Sequence, residues 1–257
     1  MLNAEVVKRV AVTPELIVVH IRPDAGVPDF KAGQYMALGL PGSAFRPGHF
    51  PAEPAEPAGD RLIKRSYSIC SAPSEKRHLE FFIAIDPTGA LTSRMFPLNE
   101  GDRLFCASKA VGTFVTEDVP ADCNLILVGT GTGVAPYVSM LRQPAIWDGG
   151  RRITLVWGVR YSRDLAYNGE FLELQGSNTA FSYLPLVSRQ DSDWQGLRGR
   201  VQRVFEDKLL CPDAVRDHIY LAGNPGMVDD LERLLGETGY SHHTRHHPGN
   251  LHLERYW

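Results

Sequence analysis

The densest chemistry in this chain lies in Arg65-Ser66-Tyr67-Ser68. A guanidinium beside a phenol ring can neutralise a phosphate while the ring packs on a flat heterocycle. Taken singly, Arg65 and Tyr67 equally suit a surface arginine and a strand tyrosine. A second stretch, LILVGTGTGVAPYVSML at residues 125–141, joins two apolar runs through Gly129, Gly131 and Gly133. Glycines let the backbone turn sharply and approach a ligand, and a helix start offers unpaired N–H groups, so this loop reads as a phosphate cradle. An ordinary strand-to-helix turn has the same composition. The dinucleotide fingerprint G-x-G-x-x-G is broken here, because Val134 stands at its third glycine.

Three further groups carry chemistry. Arg160 follows a run ending at Val159, Ser188-Arg189 follows a second run, and Arg200 comes just after Gly199. An acidic residue at such a place suits a ribose 2′-hydroxyl, whereas a 2′-phosphate wants arginine. Gly223-Asn224-Pro225-Gly226-Met227 reads as a turn entering a helix whose start can face a phosphate, with Asp230 on that helix. His242, His243, His246 and His247 cluster with Arg245 and read as a solvated basic turn, with a metal site as the minority alternative.

These residues sit in a chain of ordinary globular make-up. It has 257 residues, 43% hydrophobic and 22% charged, enough for two domains. A net charge of -3 gives no global reason to expect nucleic acid or an anionic membrane as partner. Cys70, Cys106, Cys123 and Cys211 form no C-x-x-C pair, which argues against a zinc ribbon or a protein-bound iron–sulfur cluster and reads as buried small hydrophobes. The first residues, MLNAEVVKRV, lack the apolar core of a signal peptide, and no apolar run approaches the roughly 20 residues of a membrane span. The expected setting is the reducing cytoplasm, without membrane insertion.

Two patterns must position the chemistry. Residues 5–12, 16–21, 34–40, 65–70, 79–85 and 103–106 read as short strands with Gly, Pro and Asp punctuation, which indicates a small antiparallel barrel or sandwich. A short helix is expected within 91–98, cut by Pro97, and residues 41–59 are a Pro/Gly/Ala-rich loop. Beyond a proline joint at 119–122, strands at 124–128, 152–159, 181–187 and 218–222 alternate with helices at 134–142, 164–174, 200–210 and 225–238. That is a parallel, doubly wound pattern, whose ligands bind beyond the carboxyl ends of the strands. A last strand covers residues 251–257.

The order of these motifs, Arg65 to Ser68, Leu79 to Phe82, Gly89 to Ser93, Gly112-Thr113-Phe114, then Gly129 to Tyr137, resembles the ferredoxin–NADP+ reductase family. The resemblance implies a β-barrel domain for FAD over residues 1–118 and an α/β domain for NADP over 123–257. It implies that Arg65 pairs with the FAD pyrophosphate, Tyr67 packs on the isoalloxazine, Ser68 lies near the reactive flavin N5, and Ser66 belongs to the same FAD-binding stretch. Phe82, Ala90, Leu91, Thr92 and Ser93 would hold the ribityl, phosphate and adenosine portions, with Thr92 and Ser93 as hydrogen-bond donors. Thr132 would touch the flavin. Val159, Arg160, Ser188, Arg189 and Arg200 would grip the 2′-phosphate end of NADPH, and Gly223, Asn224, Pro225 and Asp230 would lie along the nucleotide. Ala222 stands where the family usually has cysteine. The end of the chain resembles a bacterial subgroup with an aromatic terminus, which implies that Tyr256 covers the isoalloxazine and Trp257 packs near the adenine, while Glu254 is similar to an acidic residue near the flavin in plant-type relatives.

The expected activity is therefore hydride transfer from NADPH to FAD, then single-electron delivery to ferredoxin or flavodoxin, by a monomer that needs no metal. Ser68, Glu254 and Tyr256 are its catalytic candidates, and the basic histidine turn is a candidate docking point for an acidic carrier. A second reading in the same class is a reductase that feeds an oxygenase through a separate iron–sulfur protein. A flavin-binding sensor that does not turn over NADPH is a reading from another class, against which the arginine set argues.

Overall fold

The computed structural model describes residues 1–53 and 59–256. Valine and isoleucine at alternate positions make β1 (Ala4–Thr13) and β2 (Leu16–Pro23) half-buried strands, with Ile17, Val19 and Ile21 in the core. They join β3 (Tyr35–Pro41), β4 (Leu62–Ser68), β5 (Leu79–Ala84) and β6 (Arg103–Cys106) in an antiparallel sheet of order β4-β3-β6-β1-β2-β5. An isolated bridge from Ile69 to Phe81 links the two outer strands, so the sheet curls on itself. Helix α1 (Thr92–Met95) is a single turn. Among the described residues, no helix is long and apolar enough to cross a membrane.

The second sheet is parallel throughout. Its strands are β7 (Asn124–Thr130), β8 (Ile153–Val159), β9 (Phe181–Val187), β10 (Leu197–Arg198), β11 (Asp217–Gly223) and β12 (Leu251–Arg255), in the order β10-β9-β8-β7-β11-β12. Leu155, Val156 and Trp157 are all buried, as expected of a strand covered on both faces. The accompanying helices are α2 (Ala135–Leu141), α3 (Asn168–Ser177), α4 (Arg203–Glu206) and α5 (Pro225–Gly236). The chain runs outward from β7 to β10, then returns to the other side of β7 with β11. That reversal opens a crevice at the carboxyl ends of β7 and β11.

The chain divides into two compact units, Met1–Val115 with Ala135–Gln143, and Thr116–Val134 with Pro144–Trp257. Helix α2, which the sequence pattern attaches to the parallel sheet, thus groups with the antiparallel unit. All seven of its residues are buried, where the spacing of Val134, Val138 and Leu141 predicts a single apolar face. Ser139 Oγ donates to Ser71 O at 2.7 Å, and Arg142 Nη1 donates to Cys70 O and to Glu80 Oε2, both at 3.1 Å. Other expectations shift locally. The helix expected at 200–210 shrinks to four residues, and Lys208 then takes a left-handed conformation with φ 56°. Cys70 and Cys106 are buried, but Cys123 is half-buried and Cys211 exposed, so the buried-hydrophobe reading holds for only two of the four.

Arg142→Ala would remove the guanidinium that meets the buried Glu80 carboxylate. A loss of about 2 kcal/mol is expected, below the full buried-pair figure because Arg142 is partly solvated. Urea unfolding of wild type and variant measures it, and a change under about 0.5 kcal/mol would count against the anchor.

Candidate functional site

On the antiparallel unit, β4 presents the first set of candidates. Arg65 and Ser66 are exposed, Tyr67 is half-buried and Ser68 buried. Register pairs Arg65 with Leu38 and Tyr67 with Met36 on β3. The Arg65 guanidinium donates from Nη1 to Lys64 O at 2.8 Å. The Tyr67 hydroxyl is buried without a hydrogen-bond partner among the described residues, and burial pushes its pKa upward. It stays protonated and needs an acceptor. Phe82 and Leu91 are buried, while Ala90 is half-buried. Thr92 Oγ1 donates to Asp86 O at 2.8 Å, and the fully buried Ser93 accepts from Arg46 Nε at 3.0 Å.

On the parallel unit, the crevice is built by close backbone approach. A Cβ on Gly133 would sit 2.3 Å from Ala222 O, and one on Gly223, whose φ is +126°, would sit 2.5 Å from Thr130 Oγ1. Only glycine permits both contacts. The Thr130 hydroxyl accepts from Asn224 N at 3.0 Å, and Trp157 Nε1 donates to Gly131 O at 2.9 Å, which fixes the glycine loop from below. Residues 131–134 form a tight 3₁₀ turn in which Thr132 and Val134 are buried. Asn224 caps α5, its Oδ1 accepting from Met227 N at 3.2 Å, with Pro225 at the first helical position. The chain end lies alongside: Ala222 is in register with Glu254, Gly223 with Arg255, and Tyr256 N donates to Gly223 O at 2.9 Å. Arg255 secures it by bonding Asp229 at 2.9 Å and Glu232 at 2.5 Å on α5. Trp257 lies outside the described residues, as do residues 54–58 of the proline-rich loop.

The arginines separate into two groups. Ser188 N and Oγ both donate to Val159 O at 3.0 Å, and Arg189 N donates to Arg160 O at 3.0 Å, so the ends of β8 and β9 are tied together. Gly199 N donates to Val187 O at 2.9 Å, which brings Arg200 to the same edge. Arg200 and Asp230 line one cleft of ≈ 460 Å³ with Gln202, Arg203 and Arg233. Arg160, Arg189 and Arg200 are exposed, and no side-chain hydrogen bond or ion pair engages any of them among the described residues. Neighbouring Arg198 is spent on Asp191 O and Trp194 O, and Arg203 on Asp207 Oδ2 at 2.7 Å. Three cations at one sheet edge, with no internal partner among the described residues, have the charge and freedom to meet an anion.

The sequence reading missed a histidine stack. His252, buried on β12, lies face to face with Tyr220 at 4.0 Å between ring centroids and stacks on His243 at 4.6 Å. His218 Nδ1 is 3.1 Å from His252 Nε2. His243 is therefore half-buried structure, whereas His246, His247 and Arg245 are exposed as expected of a solvated turn. The only signal in the sequence was an alternating final strand with histidine at an inward position.

A two-unit chain with an antiparallel sheet, a parallel sheet with reversed strand order, and a glycine loop at the reversal defines a two-domain nucleotide-dependent oxidoreductase. Residues 127–233 match the family model described as an oxidoreductase NAD-binding domain. The ferredoxin–NADP reductase of Pseudomonas aeruginosa is 34% identical over 228 residues, 84% of this chain and 88% of the relative. The flavodoxin/ferredoxin–NADP reductase of Escherichia coli is 32% identical over 240 residues, 91% of this chain and 90% of the relative. The crystal structure of a ferredoxin NADP+ reductase from Neisseria gonorrhoeae with bound FAD and NADP matches with a TM-score of 0.82 at 26% identity, over 98% of this chain and 97% of that one. The chain belongs to the ferredoxin–NADP reductase family.

The histidine stack yields a pH dependence. Burial first, then the neighbouring His243, His218 and His242, push His252 down to about 3 from 6.5, and burial also lowers His218. Both groups bind protons more readily unfolded than folded. Their contribution to stability is intact above the unfolded pKa of 6.5 and is lost as pH falls below it, for His252 down to about 3. His252→Phe keeps the stacking on Tyr220 and removes one titration. Urea unfolding between pH 7.5 and 5 should fall less steeply in the variant, by about 1.4 kcal/mol per pH unit below the unfolded pKa. Equal slopes would refute this.

Proposed function

We propose that this chain is an FAD-dependent reductase that takes a hydride from NADPH and delivers electrons singly to ferredoxin or flavodoxin. The observation that carries the reading is the set of three arginines, Arg160, Arg189 and Arg200, at the carboxyl edge of the parallel sheet, which have no side-chain partner among the described residues. With Ser188 they suit the 2′-phosphate that distinguishes NADPH from NADH. Val159 and Ser188 hold the edge in shape through their mutual bonds, and Asp230 lines the cleft beside Arg200.

Residues of the antiparallel unit, with Thr132 of the parallel unit, fit FAD. Arg65 offers an exposed cation for the pyrophosphate, Tyr67 offers a ring and a buried hydroxyl in need of an acceptor, and Ser66 and Ser68 flank it. Phe82, Ala90, Leu91, Thr92 and Ser93 shape the segment assigned to the ribityl and adenosine parts, and Thr132 the segment assigned to the flavin. The chemistry FAD supplies when bound is two-electron acceptance and one-electron release. The chain's own residues orient, shield and hold protons. Gly223, Asn224 and Pro225 present the turn assigned to the nicotinamide. Tyr256, bonded through its N–H to Gly223 O, must swing aside to let a nicotinamide ring settle there, which makes its displacement the gate. Ser68 and Glu254 are the residues assigned to proton control. Free cysteines throughout the described residues support a reducing, cytoplasmic setting.

Two measurements decide. Purified protein should be yellow, with a flavin band that bleaches on adding NADPH; a colourless protein that binds no added FAD would overturn the reading. The double variant Arg189→Ala/Arg200→Ala should raise KM for NADPH by roughly 100-fold while KM for NADH changes less than about threefold. Equal losses for both nucleotides would overturn the 2′-phosphate assignment.

A further inference from the structure

The described part of the proline-rich loop, residues 41–53, does not hang free. Arg94, only 2% exposed, spends its whole guanidinium on it and on its own segment. Nε and Nη2 donate to Gly42 O at 3.0 and 2.8 Å, and Nη1 donates to Ala90 O at 2.7 Å. Nη1 and Nη2 then form a parallel pair of bonds, each 2.7 Å, with Glu53 Oε1 and Oε2. The Arg94 guanidinium holds the Glu53 carboxyl below the usual carboxylate range. From the loop side, Arg46 reaches back: Nε to Ser93 Oγ at 3.0 Å, Nη2 to Pro87 O at 2.9 Å and to Pro51 O, and Nη1 to Phe50 O at 3.5 Å. Phe50 packs edge-on against Phe96 at 5.2 Å between centroids.

Two guanidiniums from opposite sides thus fix residues 87–93 to the loop. We propose that Arg46 and the Arg94–Glu53 pair are positioning residues, a clasp by which the loop holds residues 87–93 in the shape that receives FAD. This rests on the FAD reading above and on the assignment of Ala90–Ser93 to the cofactor. The segment is tied from within by Gly89 N and Thr92 Oγ1, which donate to Asp86 O at 3.0 and 2.8 Å, and by Leu91 in the core; α1 is a single turn without a side-chain cap, and the two guanidiniums add the ties from the loop side. A flexible segment must be ordered on binding, and pre-ordering it removes that cost from cofactor affinity. The Arg94–Glu53 pair suits this role because a forked, doubly bonded geometry fixes orientation as well as distance. It is also nearly dry, since Glu53 is 13% and Arg94 2% exposed at the side chain, so solvent competes weakly for it.

The test is FAD release from purified holoprotein, read by recovery of free-flavin fluorescence, with NADP+ affinity and thermal midpoint measured alongside. Glu53→Gln and Arg46→Ala should each raise the FAD dissociation constant roughly 10-fold, with NADP+ affinity unchanged. Glu53→Asp, which retains the charge, should restore it to within about threefold. Arg46→Ala leaves no buried ion unpaired and covers the case in which Glu53→Gln fails to fold. Variants that hold FAD as tightly as wild type, or that lose FAD and NADP+ affinity in parallel, would overturn the clasp. Wild-type protein that binds no FAD would instead overturn the cofactor reading, and the clasp with it.

Discussion

The parallel unit depends on a close approach between two stretches of backbone. Gly133 and Gly223 let the loop after β7 lie directly on the turn after β11, and any side chain at either position would collide with Ala222 O or with Thr130. The rest of the crevice follows from this contact. With the loop so close, Thr130 Oγ1 can accept the Asn224 N–H, Asn224 can turn its own side chain onto Met227 N, and α5 starts where its first N–H groups face the crevice. A glycine fingerprint of the common dinucleotide type would use its third glycine to admit a helix against the strand. Here Val134 fills that place and is fully buried, so the tight approach is moved to Gly133 and serves β11 instead.

The arginines show how internal partners decide which cations are available. Arg198 and Arg203 lie within five residues of Arg200, yet each is occupied by carbonyl or carboxylate oxygens supplied by its own loop. An arginine so engaged would have to break those bonds to meet a ligand. Arg160, Arg189 and Arg200 have no such bonds to break, and their backbones are held by inter-strand hydrogen bonds at the ends of β8 and β9. The scaffold is rigid while the guanidiniums stay unspent, which is the arrangement that favours binding an external anion.

Most of this architecture was legible in sequence because period-two alternation and continuous apolar runs are direct consequences of strand geometry. Arg103–Cys106 and Phe181–Val187 fall where the pattern puts them. What escaped was whatever depends on contacts distant in sequence. Nothing local marks Arg94 as buried, since its partners Gly42 and Glu53 lie 52 and 41 residues away. Nothing local marks His252 as the centre of a stack, since Tyr220 and His218 belong to another strand. The two-residue β10 is too short for any periodicity, and the attachment of α2 to the antiparallel unit comes from Ser71, Cys70 and Glu80. Arg65 and Tyr67 are placed on one face of a strand by alternation alone, but only the packing reveals that the Tyr67 hydroxyl is buried without an acceptor among the described residues.

The C-terminal strand brings these themes together. β12 is the last strand of its sheet: β11 runs along all five of its residues, while on its other side an isolated bridge joins His242 to Leu251 at its start, a weak attachment for a segment that carries Glu254 and Tyr256. Two additional contacts reinforce it at opposite ends: the His252 stack near its start and the Arg255 bonds to Asp229 and Glu232 near its finish. Between them, register alone sets Glu254 beside Ala222. A slip of one residue would exchange the faces of Glu254 and Arg255, take Arg255 away from Asp229 and Glu232 and take His252 off Tyr220. The two anchors therefore do more than add stability. They exclude the shifted register, and so they keep Tyr256 at the end of β11, next to the turn where the nicotinamide is assigned.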